Sequence, residues 1–147
     1  MTLTDPPTTA ADLDDATLSI AAAAERSGVS AHTLRYYEQL GLVTPERDEN
    51  DRRRYGAADL ARVRFLTVMR RSQMPVADLV HYVDLVRQGP ATEPERLALL
   101  EAHRADILDR QQALTDALFL VDYKIAVYGG ATGDPERMEA AASLLVP

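Results

Sequence analysis

Residues 18–60 read LSIAAAAERSGVSAHTLRYYEQLGLVTPERDENDRRRYGAADL, and the local chemistry of this stretch decides the fold. Ser19 is a good N-cap, because a short hydroxyl side chain accepts a hydrogen bond from a first-turn amide. A short helix is therefore expected from Ile20 to about Ser27, stopped by Gly28, which takes a left-handed backbone without steric cost. Ser30 caps a second helix from Ala31 to about Leu40, ended by Gly41. Two short helices joined by Gly28-Val29-Ser30 have the layout of a helix-turn-helix. In the second helix Leu34, Tyr37 and Leu40 recur every three residues and form an apolar face, which leaves His32, Thr33, Arg35 and Tyr36 off it.

Outward from the second helix comes Glu46-Arg47-Asp48-Glu49-Asn50-Asp51-Arg52-Arg53-Arg54-Tyr55. Asn50-Asp51 is a turn pair, and its flanks are expected to pair as a short hairpin. The alternative, a solvated charged loop, has to account for the gathering of Arg47, Arg52, Arg53 and Arg54; a phosphate backbone accounts for it directly. A third helix is expected from Ala57 to Ser72 on the spacing of Leu60, Val63, Leu66 and Met69, with Arg62 and Arg64 read as solvated. Pro75 opens a fourth, with Val76, Leu79, Val80, Val83 and Val86 facing inward, ending near Gly89-Pro90.

Thr92, with Pro94 in the first turn and Glu95 three residues on, reads as a capping box. From there Leu97, Leu100, Arg104, Ile107, Gln111, Leu114, Leu118, Val121, Ile125 and Tyr128 alternate spacings of three and four. This is a heptad seam, and a helix of that length extends roughly 50 Å. A small four-helix head lacks the surface to cover it, so a second copy of the chain is the expected partner. Gly129-Gly130 ends the helix, and one short helix is expected near 136–145.

The 147 residues suit one compact domain with an extension; 46% hydrophobic and 27% charged residues mark the bulk of the chain as globular. No run of 18 apolar residues is present, so a spanning helix is excluded. The start, MTLTDPPTTAADLDD, lacks the layout of a secretory signal, and 1–17 is read as an acidic mobile tail. There is no cysteine, which removes disulfides, thiolate metal sites and thiol redox sensing; the expected compartment is the cytoplasm. The net charge of −7 hides its distribution: 1–17 carries −4, 18–75 carries +3, and 76–147 carries −6. A basic segment between two acidic ones is what meets phosphate, because local charge decides.

Residues 18–66 closely resemble the MerR family of transcription regulators. The resemblance rests on Ser19-Ile20, the turn Gly28-Val29-Ser30, the recognition-helix hallmark Thr33-Leu34-Arg35-Tyr36-Tyr37-Glu38, then Gly41-Leu42-Val43 and Pro45, the wing residues Arg47 and Arg53-Arg54-Tyr55, and Asp59-Leu60. With the helix pair and the long helix that follow, it covers about residues 18–128. Two departures stand in the wing: Asp51 where the family commonly has glycine, and Arg52 where it often has tyrosine. Aspartate tolerates a left-handed conformation better than most residues, and Arg52 keeps a donor for phosphate. The cysteines of the metal- and thiol-sensing members are missing, and His32, His81 and His103 do not stand at ligand spacing, so no metal and no cofactor is expected.

The resemblance implies an all-α fold with a small β-hairpin wing: a winged helix-turn-helix head at 18–89, a dimerisation helix at 92–128 forming an antiparallel coiled coil, and a tail at 129–147. The DNA-contacting candidates are Ser30, His32, Thr33, Arg35 and Tyr36 on the recognition helix, Arg47, Arg52, Arg53, Arg54 and Tyr55 on the wing, and Arg70 and Arg71 at the turn after the third helix. Leu97, Leu100, Ile107, Leu114, Leu118, Val121 and Ile125 are the dimerisation candidates. The implied partners are promoter DNA, a second copy and, through the DNA, RNA polymerase, with no membrane. The residues do not identify an effector. An organic one would sit where the long helix meets the partner's head, and His81, Tyr82, His103, Tyr123, Lys124 and Tyr128 are its polar and aromatic candidates, each weighed against ordinary packing. A DNA-architectural, excisionase-like protein is the other binding class, opposed by the long helix; for an enzyme no nucleophile or acid–base constellation is found.

Overall fold

The computed structural model describes residues 17–129 and 134–144 of the chain. Residues 1–16 of the tail expected at 1–17, and residues 130–133 and 145–147, lie outside the described residues. The chain divides into two compact units, Met1–Arg96 and Leu97–Pro147.

The first unit opens with α1 (Ile20–Ser27) and α2 (Ala31–Gln39). Ser19 Oγ accepts from the Ala22 N–H at 3.2 Å, and Ser30 Oγ accepts from the Thr33 N–H at 3.1 Å. Both helices stop as their glycines require, with Gly28 and Gly41 at φ 71. After Gly41 the chain forms a two-stranded antiparallel hairpin, β1 (Glu46–Arg47) and β2 (Arg53–Arg54), in the register Glu46 opposite Arg54 and Arg47 opposite Arg53. Leu18 extends it: its N–H donates to the Tyr55 carbonyl and its carbonyl accepts the Tyr55 N–H, both at 2.8 Å. Thr17, read from sequence as the end of the tail, is therefore in the fold; Arg54 donates to its hydroxyl at 3.0 Å and its carbonyl at 2.6 Å.

Helix α3 (Ala57–Arg71) starts at Gly56, whose N–H is taken by Asp59 Oδ2 at 2.9 Å. It ends with Gln73 left-handed at φ 68, the Met74 N–H reaching back to the Met69 carbonyl. Helix α4 (Val76–Gln88) follows Pro75. The core between these elements is Ala23, Leu34, Tyr37, Leu42, Val43, Tyr55, Val63, Leu66, Met74, Leu79 and Val83.

A 3-10 turn (Pro90–Thr92) leads into α5 (Glu93–Tyr128), a single helix of 36 residues. The Thr92 capping box does not form. The Thr92 hydroxyl donates backwards instead, to the carbonyls of Leu85 at 2.6 Å and Gly89 at 2.9 Å, and so closes the turn after α4. In the second unit α6 (Pro135–Leu144) buries Ala141, and a shallow groove is lined by Asp116 and Phe119 of α5 with Ala140 and Leu144 of α6. No helix of the described residues is long and apolar enough to cross a membrane.

Candidate nucleic-acid interface

Helix α2 is held by one face and open on the other. Leu34 and Tyr37 are buried in the core, while His32, Arg35, Tyr36 and Gln39 stand exposed one turn apart along the opposite side. Thr33 is half-buried, its hydroxyl 3.0 Å from that of Ser30, so this pair serves the cap at the helix start. The amide-rich start of α2 and an exposed row carrying an imidazole, a guanidinium, a phenol and an amide form a surface with donors for base edges and phosphates. The sequence reading passed over Gln39; its place four residues after Arg35 was the available signal.

The far end of α2 is anchored by three arginines, each from a different element. Arg87 of α4 donates to the Gly41 carbonyl and pairs with Asp84 at 3.3 Å. Glu38, in the last turn of α2, takes one wing arginine on each carboxylate oxygen: Arg47 Nη2 lies 3.1 Å from Oε1, and Arg53 Nε donates to Oε2. The bond to Glu38 holds the Arg53 guanidinium charged beyond its already high ordinary value. Neither Arg87 nor the bridging role of Glu38 was foreseen, because both depend on elements brought together by the fold.

The wing turn is built on Asp48. Its Oδ1 accepts the backbone N–H groups of Asn50 and Arg52, each at 2.9 Å, and Asp51 takes the left-handed conformation at φ 58. The backbone N–H of Arg52 is the main cause that lowers the Asp48 carboxyl below its ordinary value. Arg52 itself is exposed at the tip.

Three candidates stand differently from the sequence expectation. Tyr55 does not face outward: it is 0% exposed and belongs to the core, because its backbone pairs with Leu18 and turns the ring under α2. Its hydroxyl has no hydrogen-bond partner among the described residues, and burial pushes the phenol above its ordinary pKa. Arg54 is half-buried and engaged with Thr17. Arg70 donates to the Met74 carbonyl at 2.5 Å across the turn between α3 and α4, while Arg71 is exposed.

Of the effector candidates, Tyr82 stacks on Phe65 with ring centres 5.3 Å apart and packs on the core; His81 is exposed. Both lie in the first unit. In the second, His103 is buried, Tyr123 is half-buried, and the Lys124 ammonium stands 6.0 Å from the centre of the exposed Tyr128 ring. Along α5, Leu97, Ile107, Leu114, Leu118, Val121 and Ile125 are exposed, Leu114 by 71%; Leu100 is half-buried.

Residues 18–85 match the MerR HTH family regulatory protein domain. An HTH-type transcriptional regulator of Haemophilus influenzae is 34% identical over 113 residues, which are 76% of this chain and 84% of that one. The chain belongs to the MerR family. A MerR family regulator from Listeria monocytogenes has the same fold, with a TM-score of 0.74 and 36% identity over 86% of this chain and 96% of that one. A second solved MerR regulator, HiNmlR, described as lacking the sensor domain and bound to promoter DNA, is 33% identical, with a TM-score of 0.72 over 78% of this chain and 91% of that one. The architecture of this MerR member is the one its sequence implies: a mostly helical chain with a hairpin wing and a long helix. It is an HTH-type transcriptional regulator.

Proposed function

We propose that this MerR regulator binds a pseudo-palindromic promoter site as a homodimer and controls transcription by distorting the DNA between its two half-sites. The observation that carries the reading is the exposed row His32, Arg35, Tyr36 and Gln39 on α2 beside a hairpin tipped by Arg52. A helix presented in this way suits the major groove, and a cationic hairpin suits the flanking backbone. Arg35 is the base-edge candidate, with His32 and Thr33 beside it; Arg47, Arg52 and Arg53 are the backbone set, joined by Tyr36 and Arg71. Support for the dimer comes from the apolar seam of α5, which stands exposed along Leu114, Leu118, Val121 and Ile125. Two heads related by a twofold axis require two half-sites, and bending the intervening duplex has an elastic cost that the protein contacts must offset. RNA polymerase is then affected through promoter geometry.

Footprinting on the DNA upstream of the chain's own coding sequence tests the site: two protected half-sites in inverted orientation are expected. Transcription from a promoter with a lengthened spacer tests the distortion. A protein that protects no symmetric site and leaves that promoter's output unchanged overturns the reading.

A further inference from the structure

The two elements expected to touch DNA, α2 and the wing, are joined at one carboxylate. Arg47 and Arg53 are cross-strand partners in the hairpin, one from each strand, and Glu38 accepts both. Arg47 is further fixed by donating to the Asp51 carbonyl at 2.9 Å. Glu38 is therefore bonded to both strands of the wing from the last turn of the recognition helix, and its side chain is only 21% exposed. No other described side chain hydrogen-bonds α2 to the hairpin. Two cations side by side on a hairpin that also carries Arg52 and Arg54 repel one another, and the carboxylate that accepts from both offsets this.

A different consequence follows for DNA. A carboxylate next to a phosphate-binding surface is unfavourable for affinity, since it lowers the positive charge the wing presents. Its presence there makes sense where geometry matters more than charge. We propose that Glu38 is a positioning residue for sequence-specific recognition: it locks the wing in register with the recognition helix, so that phosphate contacts form only when the helix is seated on its proper bases. The proposal rests on the DNA-binding reading above and adds a residue that makes no DNA contact itself.

The test uses the full chain, a DNA selected from a random pool by the wild type, and a random duplex of equal length. Positioning predicts that Glu38→Gln weakens binding to the selected DNA by about tenfold, the equivalent of one lost charge-assisted bond. Binding to random DNA stays level or tightens. Glu38→Asp keeps the charge but shortens the reach, and is expected to recover only part of the discrimination. In a background of Arg47→Gln with Arg53→Gln, Glu38→Gln has no further effect on discrimination. Residual dipolar couplings of the wing amides relative to α2 shift in Glu38→Gln while the hairpin's own amides keep their exchange rates. Should Glu38→Gln melt early, Glu38→Asp and the couplings still decide. Equal tightening on both DNAs makes Glu38 only a charge, and equal weakening makes it only a fold residue; either overturns the proposal. A wild type that selects no sequence overturns the DNA-binding reading instead, and couplings unchanged in Glu38→Gln then overturn this one as well.

Discussion

Tyr55 carries its ring into the core and leaves a hydroxyl there without a hydrogen-bond partner among the described residues. A buried unsatisfied group costs about 1–3 kcal/mol, so Tyr55→Phe is expected to raise stability by about 1 kcal/mol, read by chemical denaturation. DNA affinity should not change, because the hydroxyl is not at the surface. The pH sign follows from burial. The folded chain holds the phenol neutral to higher pH than the unfolded chain does, so this contribution is whole below the ordinary tyrosine range and lost as pH rises through the raised value. Tyr55→Phe is expected to flatten that alkaline slope. Arg35→Ala belongs to the same scale: it should cost about 1–3 kcal/mol on the best site and little on random duplex, if the guanidinium reads a base edge. Equal loss on both would make it a backbone contact. At this scale the buried side of α2 was legible, since Leu34 and Tyr37 announce it by spacing. Tyr55 was not: two-residue strands are too short for alternation to display an inward face, and a tyrosine after three arginines reads as surface.

Among the elements, the wing depends most on a single side chain. Asp48 ties two backbone amides of its own turn and lets Asp51 stand where a glycine would be easier. Its lowered carboxyl gives the sign: the turn's support is present at neutral pH and is lost as pH falls through and below the ordinary aspartate range. The protection of the Asn50 and Arg52 amides, taken relative to the exchange rate of an open chain at the same pH, is expected to fall on acidification in the wild type. In Asp48→Ala that protection should already be low at neutral pH and should fall no further in acid, and protection equal to the wild type's there would remove Asp48 from this role. Helix starts and stops were legible because Ser19, Ser30, Gly28 and Gly41 act through their own backbone neighbours. The Thr92 capping box was misread because the hydroxyl turns back to donate to the carbonyls of Leu85 and Gly89 and takes no first-turn amide of α5, a choice that depends on how α4 ends.

For the molecule as a whole, the seam of α5 sets the expected assembly. Leu114→Asp or Leu118→Asp is expected to weaken dimerisation and DNA binding together, since an aspartate placed in a heptad seam has no partner charge. Light scattering checks this; a wild-type mass near 16.2 kDa at micromolar concentration would sink it. The absence of cysteine makes a second expectation: DNA binding should be indifferent to diamide. Met74 is buried, so oxidation of that thioether is slow to reach. The length of the helix was legible in its unbroken spacing of three and four, whereas what covers its exposed apolar residues was not, because no residue within the helix names its partner.

The pairing of Leu18 with Tyr55, fixed by Arg54 on Thr17, also has a practical side for anyone handling the protein. Leu18, at the entry of the chain into the fold, is a bridge residue beside the hairpin. A shortened version cut to begin at Ile20 loses both backbone bonds to Tyr55 and the Ser19 cap of α1, although it resembles a clean trim of an acidic tail. A cut placed before Thr17 keeps them. A bulky fusion partner joined close to Thr17 would stand beside Arg54 of the hairpin, so a removable tag with a long spacer is the sounder choice.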